Sequence, residues 1–82
     1  SNEEPEDTRK RLGLEERPAF LVSFGGMGID GLERLELEKF TDCQFLFLGG
    51  EGFRKGNVLG FTKAEAEHAQ LVAVSKAVIT KP

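Results

Sequence analysis

Short runs of consecutive apolar residues, rather than a helical spacing, dominate the hydrophobic pattern of this 82-residue chain. The clearest runs are residues 19–24 (AFLVSF), 44–48 (QFLFL) and 77–80 (AVIT), with a weaker run at residues 57–61 (NVLGF). Strands that are apolar on both faces are typical of parallel sheets covered on both sides. We therefore predict strands at these positions and an exposed turn at residues 52–56 (GFRKG).

Two capping-box patterns mark the starts of predicted helices at residues 31–40 and 62–75. Asp30 is followed three residues later by Glu33, and Thr62 by Glu65, the spacing at which two residues cap each other's backbone N–H groups. A short helix is also predicted at residues 8–14, with Thr8 as N-cap. This alternation of strands and helices predicts an α/β fold, a Rossmann-like open parallel sheet of about three to four strands with flanking helices, as a truncated part of a larger domain.

The charges of the chain are interleaved, and 14 acidic and 11 basic residues give a net charge of −3. This distribution lacks the basic patch of a nucleic-acid-binding protein, so we expect no nucleic-acid partner. No apolar run reaches the roughly 18 residues of a transmembrane helix, and no leader peptide is recognisable, so we expect a cytoplasmic chain. Ten of the first seventeen residues are charged, and we expect residues 1–11 to form a flexible segment ahead of a partial domain at residues 12–82.

A glycine-rich segment follows the first predicted strand. Residues 23–28 (SFGGMG) lie between that strand and a helix, and glycines there allow backbone N–H groups to approach a phosphate closely. Gly26, Gly28 and Gly31 also match the G-x-G-x-x-G pattern of dinucleotide-binding folds, and Glu51 lies twenty residues beyond Gly31. In that pattern the acid ends the second strand directly, whereas here two further glycines intervene. The segment is interpreted as a phosphate or nucleotide site, with a plain tight turn as the alternative.

Three segments resemble the C-terminal half of GT-B glycosyltransferases: LVSFGGMG, then FLFLGGEG, then HAQLVAVSKAVITKP. The likeness covers residues 12–82 and is greatest to bacterial predicted glycosyltransferases related to the lipid-linked N-acetylglucosaminyl transferases. It implies that the chain helps to bind a nucleotide-diphosphate sugar as a substrate, with no separate cofactor or metal. The nucleotide- and diphosphate-binding residues that the resemblance implies are Ser23, Gly25, Gly26, Met27, Gly28 and Lys81. It implies no catalytic residue here, because in this fold the base usually comes from the other domain.

The resemblance also implies a parent reaction, the transfer of a sugar from the nucleotide diphosphate to a hydroxyl acceptor. In the family a further Gly-rich turn that holds the diphosphate would follow Lys81, so we expect this segment to be inactive without the remainder of its parent chain. Two alternatives stay open: part of a dinucleotide-binding oxidoreductase, and a non-catalytic small α/β binding module. A shortened sheet would leave an apolar strand edge uncovered at residues 77–80 or 19–24, and we expect self-association through that edge.

Overall fold

A five-stranded sheet organises the computed structural model, which describes residues 2–24, 31 and 35–81. The elements in chain order are α1 (Pro5–Arg11), β1 (Ala19–Val22), a 3₁₀ turn (Leu37–Lys39), β2 (Gln44–Leu48), β3 (Phe53–Lys55), β4 (Val58–Phe61), α2 (His68–Val74) and β5 (Ala77–Ile79). The strand order is β3-β4-β2-β1-β5. All neighbouring pairs are parallel except β3 and β4, which are antiparallel. The described part of the chain is therefore a mixed α/β fold with a mostly parallel sheet.

The four predicted strands are all present and differ from the prediction only at their ends. β2 spans the predicted residues 44–48, whereas β1 ends at Val22 and β5 ends at Ile79. The prediction of an exposed turn at residues 52–56 is wrong, because Phe53–Lys55 pairs with β4 as an edge strand. Gly56 adopts a φ of +59°, which lets the chain reverse between these two strands. The sheet therefore has five strands rather than three to four.

Helix α1 begins at Pro5, three residues before the predicted start, and ends at Arg11. Proline is favoured in the first helical turn because its missing N–H has no acceptor there. Thr8 is therefore not the N-cap; it lies within the helix and is buried, with its hydroxyl donating to Glu3 Oε1 at 2.7 Å. The helix ends three residues before the predicted end at residue 14, and Gly13 has a φ of +67° just beyond it, a conformation typical of helix C-termini.

The Thr62 capping box forms, but it closes a turn instead of opening a helix. Glu65 Oε1 accepts the Thr62 N–H at 2.9 Å, and Thr62 Oγ1 accepts the Glu65 N–H at 3.2 Å. Glu67 then adopts an extended conformation, and α2 begins at His68 with a second box in which Gln70 Oε1 accepts the Glu67 N–H at 2.9 Å. The predicted start at residue 62 is therefore wrong. In the described part of the chain, no helix is both long and apolar enough to cross a membrane.

The helix predicted at residues 31–40 falls partly outside the described residues, which leave out residues 32–34 and include neither Asp30 nor Glu33. Glu36 has a left-handed φ of +52°, and the 3₁₀ turn follows it directly. An α-helix cannot continue through a residue in that conformation. The C-terminal part of this helix prediction is therefore wrong.

The hydrophobic core lies on the face of the sheet that packs against α1 and α2. Its buried side chains are Leu12, Ala19, Leu21, Leu46, Leu59, Phe61, Ala66, Leu71 and Val74. Strand residues of the opposite parity point to the other face, where the Phe20 and Phe45 rings lie with centroids 6.1 Å apart. Burial of β1 and β2 from both sides explains why both strands are nearly continuous apolar runs.

Candidate functional site

The strand order has a change of direction at β1. From β1 the chain adds β2 and then β4 on one side, whereas β5 lies on the other side of β1. In open α/β sheets, ligands bind in the crevice outside the carboxyl ends of the strands at such a switch point. A ligand site is therefore expected at the carboxyl ends of β1 and β5.

Two of the predicted site residues lie at these strand ends. Ser23 directly follows β1, and its backbone N–H donates to the carbonyl of Ile79, the last residue of β5, at 2.8 Å. Lys81 is two residues beyond Ile79, and the side chains of Ser23 and Lys81 are both exposed. The fold thus brings a hydroxyl group and an ammonium group to the same end of two adjacent parallel strands. Both groups can donate hydrogen bonds to an anion.

The remaining predicted site residues are Gly25, Gly26, Met27 and Gly28. They lie outside the described residues, so their part in the site stays a prediction. Glu51, the acid of the dinucleotide pattern, is exposed in the segment between β2 and β3, on the carboxyl side of β2. It therefore lies at the same end of the sheet as Ser23, the end formed by the carboxyl ends of the parallel strands, and follows the neighbouring strand β2.

Lys63, which no motif in the sequence singles out, also lies at this end of the sheet. Its Cε atom is 3.6 Å from the point that a Cβ on Gly49 would occupy, so its side chain reaches the end of β2. The Gly49 N–H donates to the Phe61 carbonyl at 3.0 Å, which holds the ends of β2 and β4 together. No sequence signal indicates this proximity, because it depends on the pairing of β2 with β4.

A second polar cluster lies between α1 and the start of α2, around a cleft of about 260 Å³. Arg11 donates to both Glu3 carboxylate oxygens at 3.0 and 3.1 Å, to Gln70 Oε1 at 3.3 Å and to the Glu65 carbonyl. Hydrogen bonds from Arg11 and then Thr8 lower the pKa of Glu3 below its ordinary value. Because protein acceptors already occupy the guanidinium, we interpret this cluster as a link between the helices.

The described residues also limit other chemistries. His68 is exposed at the first position of α2, and Cys43 is partly buried before β2. Among the described residues, no group of three or more His, Cys, Asp or Glu side chains could hold a metal ion.

Comparisons of the chain with protein-family models, curated proteins and solved structures find no match.

Proposed function

We propose that this chain is a donor-binding segment of a GT-B-type glycosyltransferase and that it binds the diphosphate of a nucleotide sugar at the carboxyl ends of β1 and β5. The observation that carries the proposal is that Ser23 and Lys81 follow the carboxyl ends of two adjacent parallel strands at the switch point. In chain order the four parallel strands are arranged third, second, first, fourth, which matches the first four strands of the order 3-2-1-4-5-6 in Rossmann-like sheets. This order supports the assignment of a Rossmann-like fold to the chain.

The chemistry of the two side chains fits a diphosphate. The Lys81 ammonium group compensates negative charge, and the Ser23 hydroxyl donates a directional hydrogen bond. In a sugar transfer from a nucleotide diphosphate, negative charge grows on the departing diphosphate as the glycosidic bond breaks. Donors fixed at that position stabilise the transition state as well as the bound substrate. In this proposal the segment binds the departing diphosphate and takes no part in the proton transfer from the acceptor hydroxyl.

An NMR titration tests the proposal with the chain as it is. We expect UDP or GDP to shift the backbone signals of Ser23, Thr80 and Lys81 saturably, with affinity in the millimolar range. Lys81→Ala should weaken binding about threefold to tenfold, as expected for the loss of one exposed charge-assisted contact. Lys76→Ala is the matched control, because Lys76 is also exposed but precedes β5 at its amino end. Equal weakening by the two variants would indicate non-specific charge attraction and would contradict the site.

Part of a dinucleotide-binding oxidoreductase is the second candidate, favoured by the exposed Glu51 on the carboxyl side of β2. An acid at this place can accept hydrogen bonds from a ribose. Titration with NAD separates the candidates, since saturable shifts at Glu51 with NAD and none with UDP or GDP would support the oxidoreductase. If no nucleotide shifts any signal, both nucleotide functions are excluded for this segment and the binding module is left.

A further inference from the structure

The turn that carries Lys63 is held from several sides. Besides the reciprocal Thr62–Glu65 capping bonds, the Thr62 carbonyl accepts the Glu65 N–H at 3.0 Å and the Ala66 N–H at 3.2 Å. Ala66 is buried in the core, and Arg11 donates to the Glu65 carbonyl. These contacts fix the backbone on both sides of Lys63. The direction in which its side chain leaves the turn is therefore set by the fold.

Lys63 also lines the cleft between α1 and α2, and the Glu65 carboxylate two residues further along makes no ion pair with it. Glu65 directs its Oε1 to the Thr62 N–H, and the same atom lies 2.9 Å from where a Cβ on Gly52 would be. The ion pairs found among the described residues are made by Arg11, Arg17, Lys39 and Lys55. In that part of the chain the Lys63 ammonium group has no such pair, and its side chain is exposed.

Lys63 and Lys81 lie on opposite sides of the end of β1. Lys63 reaches the end of β2, which neighbours β1 on one side, and Lys81 follows β5, which neighbours β1 on the other. Neighbouring strands are about 4.8 Å apart, so the ends of β2 and β5 are separated by about 10 Å. Flexible four-carbon side chains can turn towards one another across that distance. An anion above Ser23 would then lie between two cations.

We infer that Lys63 is a second cationic contact for the diphosphate, on the side of the site opposite to Lys81. This inference rests on the proposed function and adds a residue that discriminates charged from uncharged ligands. With two cations, ligands that carry a diphosphate should bind more tightly than the matching nucleoside, and added salt should reduce the difference.

The experiment compares UDP, inorganic pyrophosphate and uridine on the wild-type chain and on the variants Lys63→Ala, Lys81→Ala and Lys76→Ala. We expect Lys63→Ala to weaken UDP and pyrophosphate binding about threefold to tenfold and to leave uridine binding unchanged. Lys63→Gln, which keeps most of the side-chain length, should weaken binding equally if charge is responsible. The Lys76→Ala control should match the wild type. An unchanged unfolding midpoint for the variants excludes a loss of fold as the cause.

The outcomes separate the two proposals. If the wild-type chain binds neither UDP nor pyrophosphate, the proposed function fails and the role of Lys63 fails with it. If the wild type binds and Lys81→Ala weakens binding while Lys63→Ala does not, the donor site stands and only the role of Lys63 is overturned. A loss of uridine binding in Lys63→Ala would also overturn it, since the contact would then not be with phosphate.

Discussion

Gln44, the first residue of β2, has a fully buried side chain whose carboxamide is satisfied on both ends. Its Nε2 donates to the Glu15 carbonyl at 2.8 Å and to the Arg17 carbonyl at 2.7 Å, and its Oε1 accepts the Glu15 N–H at 3.1 Å. The segment between α1 and β1 lacks regular structure, and its backbone groups still need partners. The Gln44 side chain therefore helps to attach this segment to the sheet.

Replacing Gln44 with leucine keeps a similar volume and removes all three hydrogen bonds. At about 0.5–1.5 kcal/mol for each bond, we expect the free energy of unfolding to fall by about 2–4 kcal/mol. A chain of this length typically has a total of about 4–12 kcal/mol, so the loss is a large fraction of the total. Urea unfolding followed by far-UV circular dichroism measures the loss, because the sequence has no Trp or Tyr for fluorescence. Glu51→Gln, at an exposed position, is the control and should change stability by less than about 0.5 kcal/mol.

Gln44→Glu is the sharper variant, because it changes the chemistry with little change in shape. An ionised carboxylate would place an oxygen against the two carbonyl oxygens that now accept from Nε2. Burial and this repulsion raise the pKa of the introduced carboxyl group above its unfolded value of about 4.3. The variant is therefore least destabilised below that pH, and its stability falls relative to the wild type as pH rises through the raised pKa. A deficit that is the same at pH 4 and pH 7, or a leucine variant as stable as the wild type, would refute this reasoning.

Three further predictions concern packing, charge and association. Gly60→Ala should lower the free energy of unfolding by about 1–3 kcal/mol, because a Cβ there would lie 2.1 Å from the Phe53 ring. In a double-mutant cycle, the same substitution should cost much less when Phe53 is already alanine. Additive effects of the two substitutions would contradict the contact. Glu3→Gln should lower the thermal midpoint at neutral pH. Since the Arg11 hydrogen bonds lower the pKa of Glu3, that difference should disappear as pH falls through the lowered pKa, whereas a difference independent of pH would exclude the ion pair as its cause. The edge strand β5 is exposed throughout, with Val78 38% exposed. Light scattering over a hundredfold concentration range should therefore show a molecular mass that rises with concentration, and Val78→Lys should suppress the rise. A monomeric mass throughout would contradict association through this strand.

The strand whose bounds the sequence predicted best is β2, at residues 44–48. β2 lies between β1 and β4 in the middle of the sheet, and the sheet is covered on both faces there. Such a strand is a nearly continuous apolar run, a pattern that can be recognised in the sequence alone. β3 was missed because Arg54 and Lys55 within a glycine-bounded segment are typical of a turn. It pairs with β4 across a two-residue turn at Gly56 and Asn57, with the Phe53 ring over the side-chain-free Gly60. Gly-Asn is a dipeptide of two-residue hairpins, and the prediction did not use it.

The helix predictions show the same limit. The Thr62–Glu65 pair has the spacing of a capping box and forms both bonds, but a turn of three residues satisfies the same bonds as a helix. The helix begins only after Glu67, where a second pair with the same spacing, Glu67 and Gln70, was not used in the prediction. Spacing identifies residues that can cap each other. Ala66 and Leu71, which lie on either side of the second cap, are both buried in the core.

Half of the candidate site follows from topology and half from packing. Ser23 and Lys81 are brought together because β5 returns beside β1, an arrangement that alternating strands and helices favour. Lys63 reaches the same end of the sheet because β4 pairs with β2, which places the Lys63 Cε atom beside Gly49. The first relation can be expected from the order of elements. The second needs the register of two strands and the course of a turn.

The effect of Glu51→Gln on nucleotide affinity distinguishes the two proposed nucleotide functions. The fold does not distinguish them as sharply, because the same sheet supports many chemistries. If the edge binds a diphosphate between cations, the exposed Glu51 carboxylate is a like charge near the ligand, worth about 1 kcal/mol at 4 Å in water and less in salt. Glu51→Gln should then tighten UDP binding, by up to about threefold, and leave its salt dependence slightly steeper. If Glu51 instead accepts hydrogen bonds from a ribose, the same variant should weaken NAD binding. Because the two functions require opposite signs from one substitution, a titration of Glu51→Gln with UDP and NAD decides between them without reference to the rest of the site.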